Sequence, residues 1–378
     1  MPKIKCCLLI PLVFVVLTSN SLANSQADTS LKPQSILNIM HRVADWQLNQ
    51  WDTRGFTHPL YDWTNAACYT GIFALGEIKG NDKYLASLTK IGDKLNWNTG
   101  PNRFVADDYC IGQTYSLLYA RYRDKKMIAN FERLADSIVA RPHTASLEWN
   151  NGTGIDEWKW CDALFMGPTS LSYLSTATKN PAYLNTAIKL WWKTTNYLYD
   201  PKERLFYRDS RFFSQKEKNG QKVFWSRGNG WVMAGLVRVM ENLPATHPDR
   251  AKFEKLYKET AARISALQQP DGSWHASLLD PGSYPVKETS GTGFYCYALL
   301  WGLNHHLLDQ KTYWPVVKKA WAALNSSVHP GGMLGYVQRI GESPDLVTGN
   351  STEVYGVGAF LLAGSQLYRY VSNNPLVR

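Results

Sequence analysis

The chain has 378 residues, 44% of them hydrophobic and 19% charged, enough to bury a large core. Its net charge of +10 is spread without a block of consecutive basic residues, which argues against a nucleic-acid partner and leaves a diffuse positive field suited to anionic substrates. No zinc spacing, phosphate loop, dinucleotide fingerprint or Gly-x-Ser-x-Gly elbow occurs.

The N-terminus reads as a secretory signal. Lys3 and Lys5 give the positive start, Cys6 to Leu17 the apolar core, and Ser21-Leu22-Ala23 the small residues before a cleavage site. Residues 1–23 are therefore expected to be removed, which lowers the net charge to +8, and 24–378 to form one catalytic domain. The apolar run is too short to span a bilayer comfortably, and no later run is longer, so the mature chain is expected to be exported, periplasmic or secreted, and free of the membrane. Cys68, Cys110, Cys161 and Cys296 remain; they sit singly in similar places of repeated segments and read as small buried residues.

From Ser35 onward the pattern is helical, beginning with Ile36-Leu37, Met40, Val43 and Trp46 at helical spacing. A unit then recurs: a polar cap, a mixture of small residues, aromatics and Gly, an apolar helix, a turn, and a more charged helix. Apolar helices are expected to start near Thr64–Gly71, Asp107–Gly112, Trp160–Gly167, Arg227–Trp231, Glu288–Gly293 and Ser351–Gly356. Charged partners fall at Lys83–Leu95, Lys126–Val139, Ala182–Leu198, Arg250–Leu267 and Thr312–Leu324, with Ile36–Trp51 as the sixth. The run Arg121-Tyr122-Arg123-Asp124-Lys125-Lys126 reads as a solvated connection between two of them. Starts recurring at roughly 40–70 residues signal repeat architecture. The fold class is all-α: six helical hairpins closing into an (α/α)6 toroid, because an open array would leave two apolar ends. Short strands are expected only in loops, at Lys222–Trp225 and Gly332–Arg339.

In such a ring the inner helices run the same way and their N-termini meet at one mouth. Asp107, Asp108, Asp162, Arg227, Trp231, Glu288 and Glu353 would all converge there. The helix ends add partial positive charge that favours a bound carboxylate. The central stretch is Trp158-Lys159-Trp160-Cys161-Asp162-Ala163-Leu164-Phe165-Met166-Gly167-Pro168. Tryptophan rings stack on sugar faces, and a carboxyl among apolar neighbours tends to keep its proton, which suits a general acid. Asp162 could otherwise be a plain N-cap, and Asp107-Asp108 an N-cap and its neighbour. Arg227, in Ser226-Arg227-Gly228-Asn229-Gly230-Trp231, could fork onto a carboxylate, with Trp231 one turn later. His275 follows Asp271-Gly272-Ser273-Trp274 in a loop placed to reach the pocket, whereas His305 and His306 end a helix.

These residues resemble the unsaturated rhamnogalacturonyl hydrolases, relatives of the unsaturated glucuronyl hydrolases. The matching pieces are Trp160–Met166, Ser226–Trp231, Asp271–Trp274 and Glu288-Thr289-Ser290, in the same order. The resemblance implies a six-hairpin toroid. It also implies a substrate that ends in a Δ4,5-unsaturated uronic acid, left by a polysaccharide lyase. It gives Asp162 the role of proton donor and then base, and Asp107 or Asp108 that of second acid. Trp160, Arg227 and Trp231 become substrate contacts, joined by Glu288. Members often carry a His after Leu-Phe-Tyr; here Leu205-Phe206-Tyr207 leads to Arg208, which takes that place as a candidate substrate contact. No metal or organic cofactor is required. The alternatives are a polysaccharide lyase on the same toroid and a non-catalytic glycan-binding protein.

Overall fold

Polar caps mark where the apolar segments turn helical. Asp62 accepts the Thr64 N–H at 2.9 Å and starts α2 (Trp63–Gly76). Glu288 accepts those of Ser290 and Gly291 and starts α10 (Thr289–Asn304). Both helices bury nearly every residue, as their unbroken apolar character requires. Asn180 with Pro181 at the first helical position opens α7 (Pro181–Leu198), and Asp309 opens α11 (Gln310–Asn325). The computed structural model describes Pro2, residues 31–150 and residues 157–374. The expected signal segment lies, apart from Pro2, outside the described residues.

Twelve α-helices are present among the described residues, and they alternate between an inner and an outer ring. The inner ring is α2, α4 (Gly112–Tyr122), α6 (Ala163–Thr178), α8 (Ser226–Asn242), α10 and α12 (Val354–Asn373). Each packs on the next, and α12 packs back on α2, so the ring is closed. The outer ring is α1 (Pro33–Arg54), α3 (Asp82–Lys94), α5 (Lys126–Ala140), α7, α9 (Arg250–Ala266) and α11. Each outer helix rests on an inner neighbour, and α1 lies on α12. The (α/α)6 toroid expected from the sequence is the fold observed.

Close approach of the inner helices needs small residues. A Cβ on Gly71 of α2 would stand 2.4 Å from the Gly358 carbonyl of α12. One on Gly235 of α8 would stand 2.4 Å from the Leu164 carbonyl of α6. The four cysteines are buried and unbridged.

The strands differ from expectation. The pairs are β1 (Tyr199–Asp200) with β2 (Leu205–Phe206), and β3 (Trp274–His275) with β4 (Lys287–Glu288). Lys222 and Trp225 form only isolated bridges, to Lys216 and Ser277, and Leu334 bridges Val328. Contacts two residues long are set by how loops close over the helix ends, which period-two patterning cannot register.

Candidate active site

Loop 338–342 crosses the end of the ring, and Gln338 ties it to three inner helices. Its N–H donates to Glu288 at the start of α10, 3.1 Å. Its carbonyl accepts from Arg227 Nη1 of α8, 2.9 Å, and from the Tyr355 hydroxyl of α12. Its side chain accepts from Trp225 Nε1, 2.9 Å, just before α8. The chain thus gathers helix N-termini at one end, with a cavity of about 270 Å3 among them.

Asp107 and Asp162 both line that cavity, with Trp63, Trp160 and Arg208 around them and Gly341 and Glu342 closing one side. Asp162 occupies the cap position of α6, yet its side chain makes no capping bond. It accepts instead from the Cys161 thiol at 3.2 Å, leaving carboxylate capacity for the cavity. The Cys161 N–H donates to the Arg208 carbonyl at 2.8 Å and so fixes the two loops against each other. Asp107 comes from a 3-10 turn, Ala106–Tyr109, ahead of α4.

The two carboxyls share one electrostatic environment. Burial raises Asp107, the charge of Asp162 raises it further, and Arg208 only partly offsets this, leaving its pKa at about 8. Burial also raises Asp162, opposed by Arg208, by the Cys161 thiol and by Arg227. Both carboxyls therefore lie above the ordinary carboxylate range, Asp107 far enough to stay protonated at neutral pH.

Arg208 is the cation of the cavity. Its Nη1 donates to Asp209 at 2.7 Å and lies 3.4 Å from Glu342, its guanidinium stacks 4.5 Å from the Trp149 ring, and its Nε is buried without a partner. Asp209 is fully buried. Burial works against its charge, but hydrogen bonds from Arg211 and Arg208 outweigh that and hold its carboxyl below the usual range.

Other expected contacts lie elsewhere. Asp108 turns from the cavity: its carboxylate accepts the Asn102 N–H at 2.5 Å and packs on Gly100. Arg227 does not offer a free fork, because its guanidinium donates to the Gln338 and Arg339 carbonyls at 2.9 Å each and sits over the rings of Trp225 and Tyr355. Trp231 is fully buried and supports the cavity wall from behind, edge-on to Trp63 at 6.0 Å and 4.3 Å from Phe294. Glu288 is fully buried and spends its carboxylate on α10 and Gln338. His275 belongs to β3, its Nδ1 3.2 Å from the Pro281 carbonyl, outside the cavity. Trp63, Trp149, Arg211, Gln338 and Glu342 were missed from sequence. Only Trp63, directly before an expected helix start, carried a usable signal. No group of three His, Cys, Asp or Glu among the described residues is placed to hold a metal ion.

A closed (α/α)6 ring with a carboxyl pair and an arginine at its N-terminal mouth defines a carbohydrate-active enzyme of the toroid class. The chain belongs to Glycosyl Hydrolase Family 88, whose model matches residues 39–371. It is 38% identical to an unsaturated 3S-rhamnoglycuronyl hydrolase of Formosa agariphila over 361 residues, covering 91% of this chain and 93% of the relative. A solved family 88 glycosyl hydrolase from Bacteroides vulgatus superposes with a TM-score of 0.79 at 32% identity, covering 90% of this chain and 99% of that one. A solved protein described as a polysaccharide lyase superposes with a TM-score of 0.80 at 33% identity, covering 90% of this chain and 98% of that one.

Proposed function

We propose that the protein removes a terminal Δ4,5-unsaturated uronic acid from lyase-generated oligosaccharides by hydrating the C4=C5 bond. One observation carries this reading: Asp107 and Asp162 line the same small cavity as Arg208, and burial raises both carboxyls. The substrate has C4=C5 conjugated to its carboxylate, with the ring oxygen on C5, and so is a vinyl ether. Asp162 delivers its proton to C4, leaving an oxocarbenium-like centre at C5. Water adds at C5, and the ionised Asp162 takes the released proton. The C5 hemiketal opens: the bond from C5 to the ring oxygen breaks, C5 becomes a ketone, and the oxygen stays on C1 as a hydroxyl. C1 is then a hemiacetal that expels the neighbouring sugar as an alcohol and becomes an aldehyde. One carboxyl serves both proton transfers, so the carboxylate spacing that separates retaining from inverting glycosidases does not govern the outcome.

Asp107, itself held protonated by burial, holds the water. Arg208 receives the uronate carboxylate, and Trp160 and Trp63 offer ring faces to the sugar. The neighbouring residue is a rhamnose, a reading supported by the rhamnoglycuronyl specificity in the name of the Formosa relative. The likeness to a described lyase is the weaker support for a lyase reading on the same fold. Moreover, among the described residues that line the cavity there is no Tyr, His or Lys to act as a base at C5.

The test is ultraviolet absorbance over time with an unsaturated uronyl-rhamnose disaccharide. The signal falls as the double bond is hydrated, and Asp162→Asn abolishes the fall, by at least about a thousandfold, while substrate still binds. A rising signal on intact polysaccharide would make the protein a lyase. Unimpaired turnover by Asp162→Asn would remove the acid assigned here, and binding without turnover in the wild type would make it a glycan-binding protein. The place of action proposed is outside the cytoplasm after cleavage near Ala23, which N-terminal sequencing of exported protein tests.

A further inference from the structure

A second cavity, of about 360 Å3, lies where the last turns of α1 meet the start of α12. It opens beside the first one: Trp63 of the catalytic cavity stacks on Tyr355 at 5.4 Å, and Tyr355 lies two residues beyond Glu353 of this cavity. The wall is built, not incidental. Gly332, at φ +99°, brings its loop so near α1 that a Cβ there would meet the Arg42 carbonyl at 2.4 Å. Arg42 in turn donates to the His329 and Pro330 carbonyls of that loop.

Several polar groups of the residues lining this space lack partners. Gln47 is only 4% exposed, yet its amide makes no hydrogen bond among the described residues. The Trp51 indole N–H and the Thr352 hydroxyl are buried and also unpaired. A buried amide with idle donors and acceptors costs free energy unless a ligand or water completes it. Glu353 stands at the cap position of α12 without capping it. Burial raises its carboxyl against the pull of His58, Arg227 and Arg339. Arg54 makes no ion pair among the described residues. The Trp46 ring is half-buried in the same wall.

We infer that this seam cavity is a second saccharide site, which takes one pyranose ring through the Gln47 amide and the Glu353 carboxyl, with Trp46 beneath the ring face. Mixed donors and acceptors around an indole suit a ring bearing hydroxyls and do not suit an apolar ligand. The ring comes either from the distal end of a longer substrate, a source that rests on the proposed hydrolase reading, or from a free sugar.

The experiment uses the full chain, Gln47→Leu and Trp46→Ala, with thermal melts to establish folding. Each protein is titrated by tryptophan fluorescence and protein NMR with rhamnose and with a saturated glucuronyl-rhamnose disaccharide. Each is also assayed on an unsaturated disaccharide and on the tetrasaccharide that extends it at the reducing end. If the distal substrate residue is the source, both variants raise KM for the tetrasaccharide about fivefold or more and leave the disaccharide kcat and KM unchanged. If a free sugar is the source, the variants lose the saturated-ligand response while both KM values stay put. A saturated-ligand response that Gln47→Leu removes supports the site even if neither unsaturated substrate is turned over, which keeps this inference separable from the hydrolase reading. Folded variants that match the wild type in every titration and both KM values would overturn it, leaving a cavity that holds only water.

Discussion

Arg211 reaches across the cavity mouth to Glu342, its Nη1 and Nη2 standing 3.0 and 2.8 Å from the two carboxylate oxygens, while its Nε and Nη2 hold the buried Asp209. This clamp also leaves Glu342 only 3.4 Å from Arg208. An acid therefore stands where an anionic substrate must approach, competing for the same guanidinium. Glu342→Gln should lower KM for the unsaturated uronate about threefold at low ionic strength, with the advantage shrinking as salt is added. A rise in KM would mean that pinning loop 338–342 outweighs the competition.

The two arginines should separate cleanly. Arg208→Gln leaves Asp209 with its contacts to Arg211, so stability should change by about 1 kcal/mol or less while KM rises about 10- to 100-fold. Arg227→Gln strips donors from the buried Gln338 and Arg339 carbonyls, and should cost about 2–4 kcal/mol of stability by chemical denaturation. Equal KM effects with equal stability loss would return Arg227 to the role its sequence suggested.

The pH dependence follows from the buried Asp107. With its pKa at about 8, it is neutral below that pH, and turnover should fall above it as its charge appears beside the substrate carboxylate. Stability has a definite sign. The folded state binds the Asp107 proton more tightly than the unfolded chain, whose ordinary value is 3.8, so stability falls as pH rises from about 4 to about 8 and then levels. Asp107→Asn should therefore melt above the wild type near pH 9, by a few kcal/mol at most, and near pH 4 the difference should vanish. Parallel melting curves at both pH values would contradict the burial of that charge.

Glu288→Gln tests a structural role. Its carboxylate accepts from Ser290 N and Oγ, Gly291 N and Gln338 N, so the neutral amide should cost about 1–3 kcal/mol in denaturant melts. The disaccharide KM should move far less than in Arg208→Gln.

The ring was legible because each inner helix announces itself twice, through a polar start and through an apolar run too continuous for a surface helix. Asp162 with Trp160, and Asp107 together with Asp108, were legible because their segments begin the same kind of hairpin, whereas Arg208 entered only through the family resemblance. What could not be read was consumption. Nothing near Arg227 says that carbonyls 111 and 112 residues further on will use up its guanidinium, or that Glu288 will be spent on its own helix. Glu342 and Trp149 lie in loops without periodicity, and only the closed structure gives them partners.

Closure of the ring has a consequence for how the chain reaches this state. α12 is the wedge between α10 and α2, and α1 rests on it. Until that helix has been made, α1, α2 and α10 face water along apolar stripes, and the loop that roofs the cavity has no Tyr355 to hold it. Such long-range pairing is slow and leaves early segments exposed. The ribosome therefore delivers most of this protein before the ring can close.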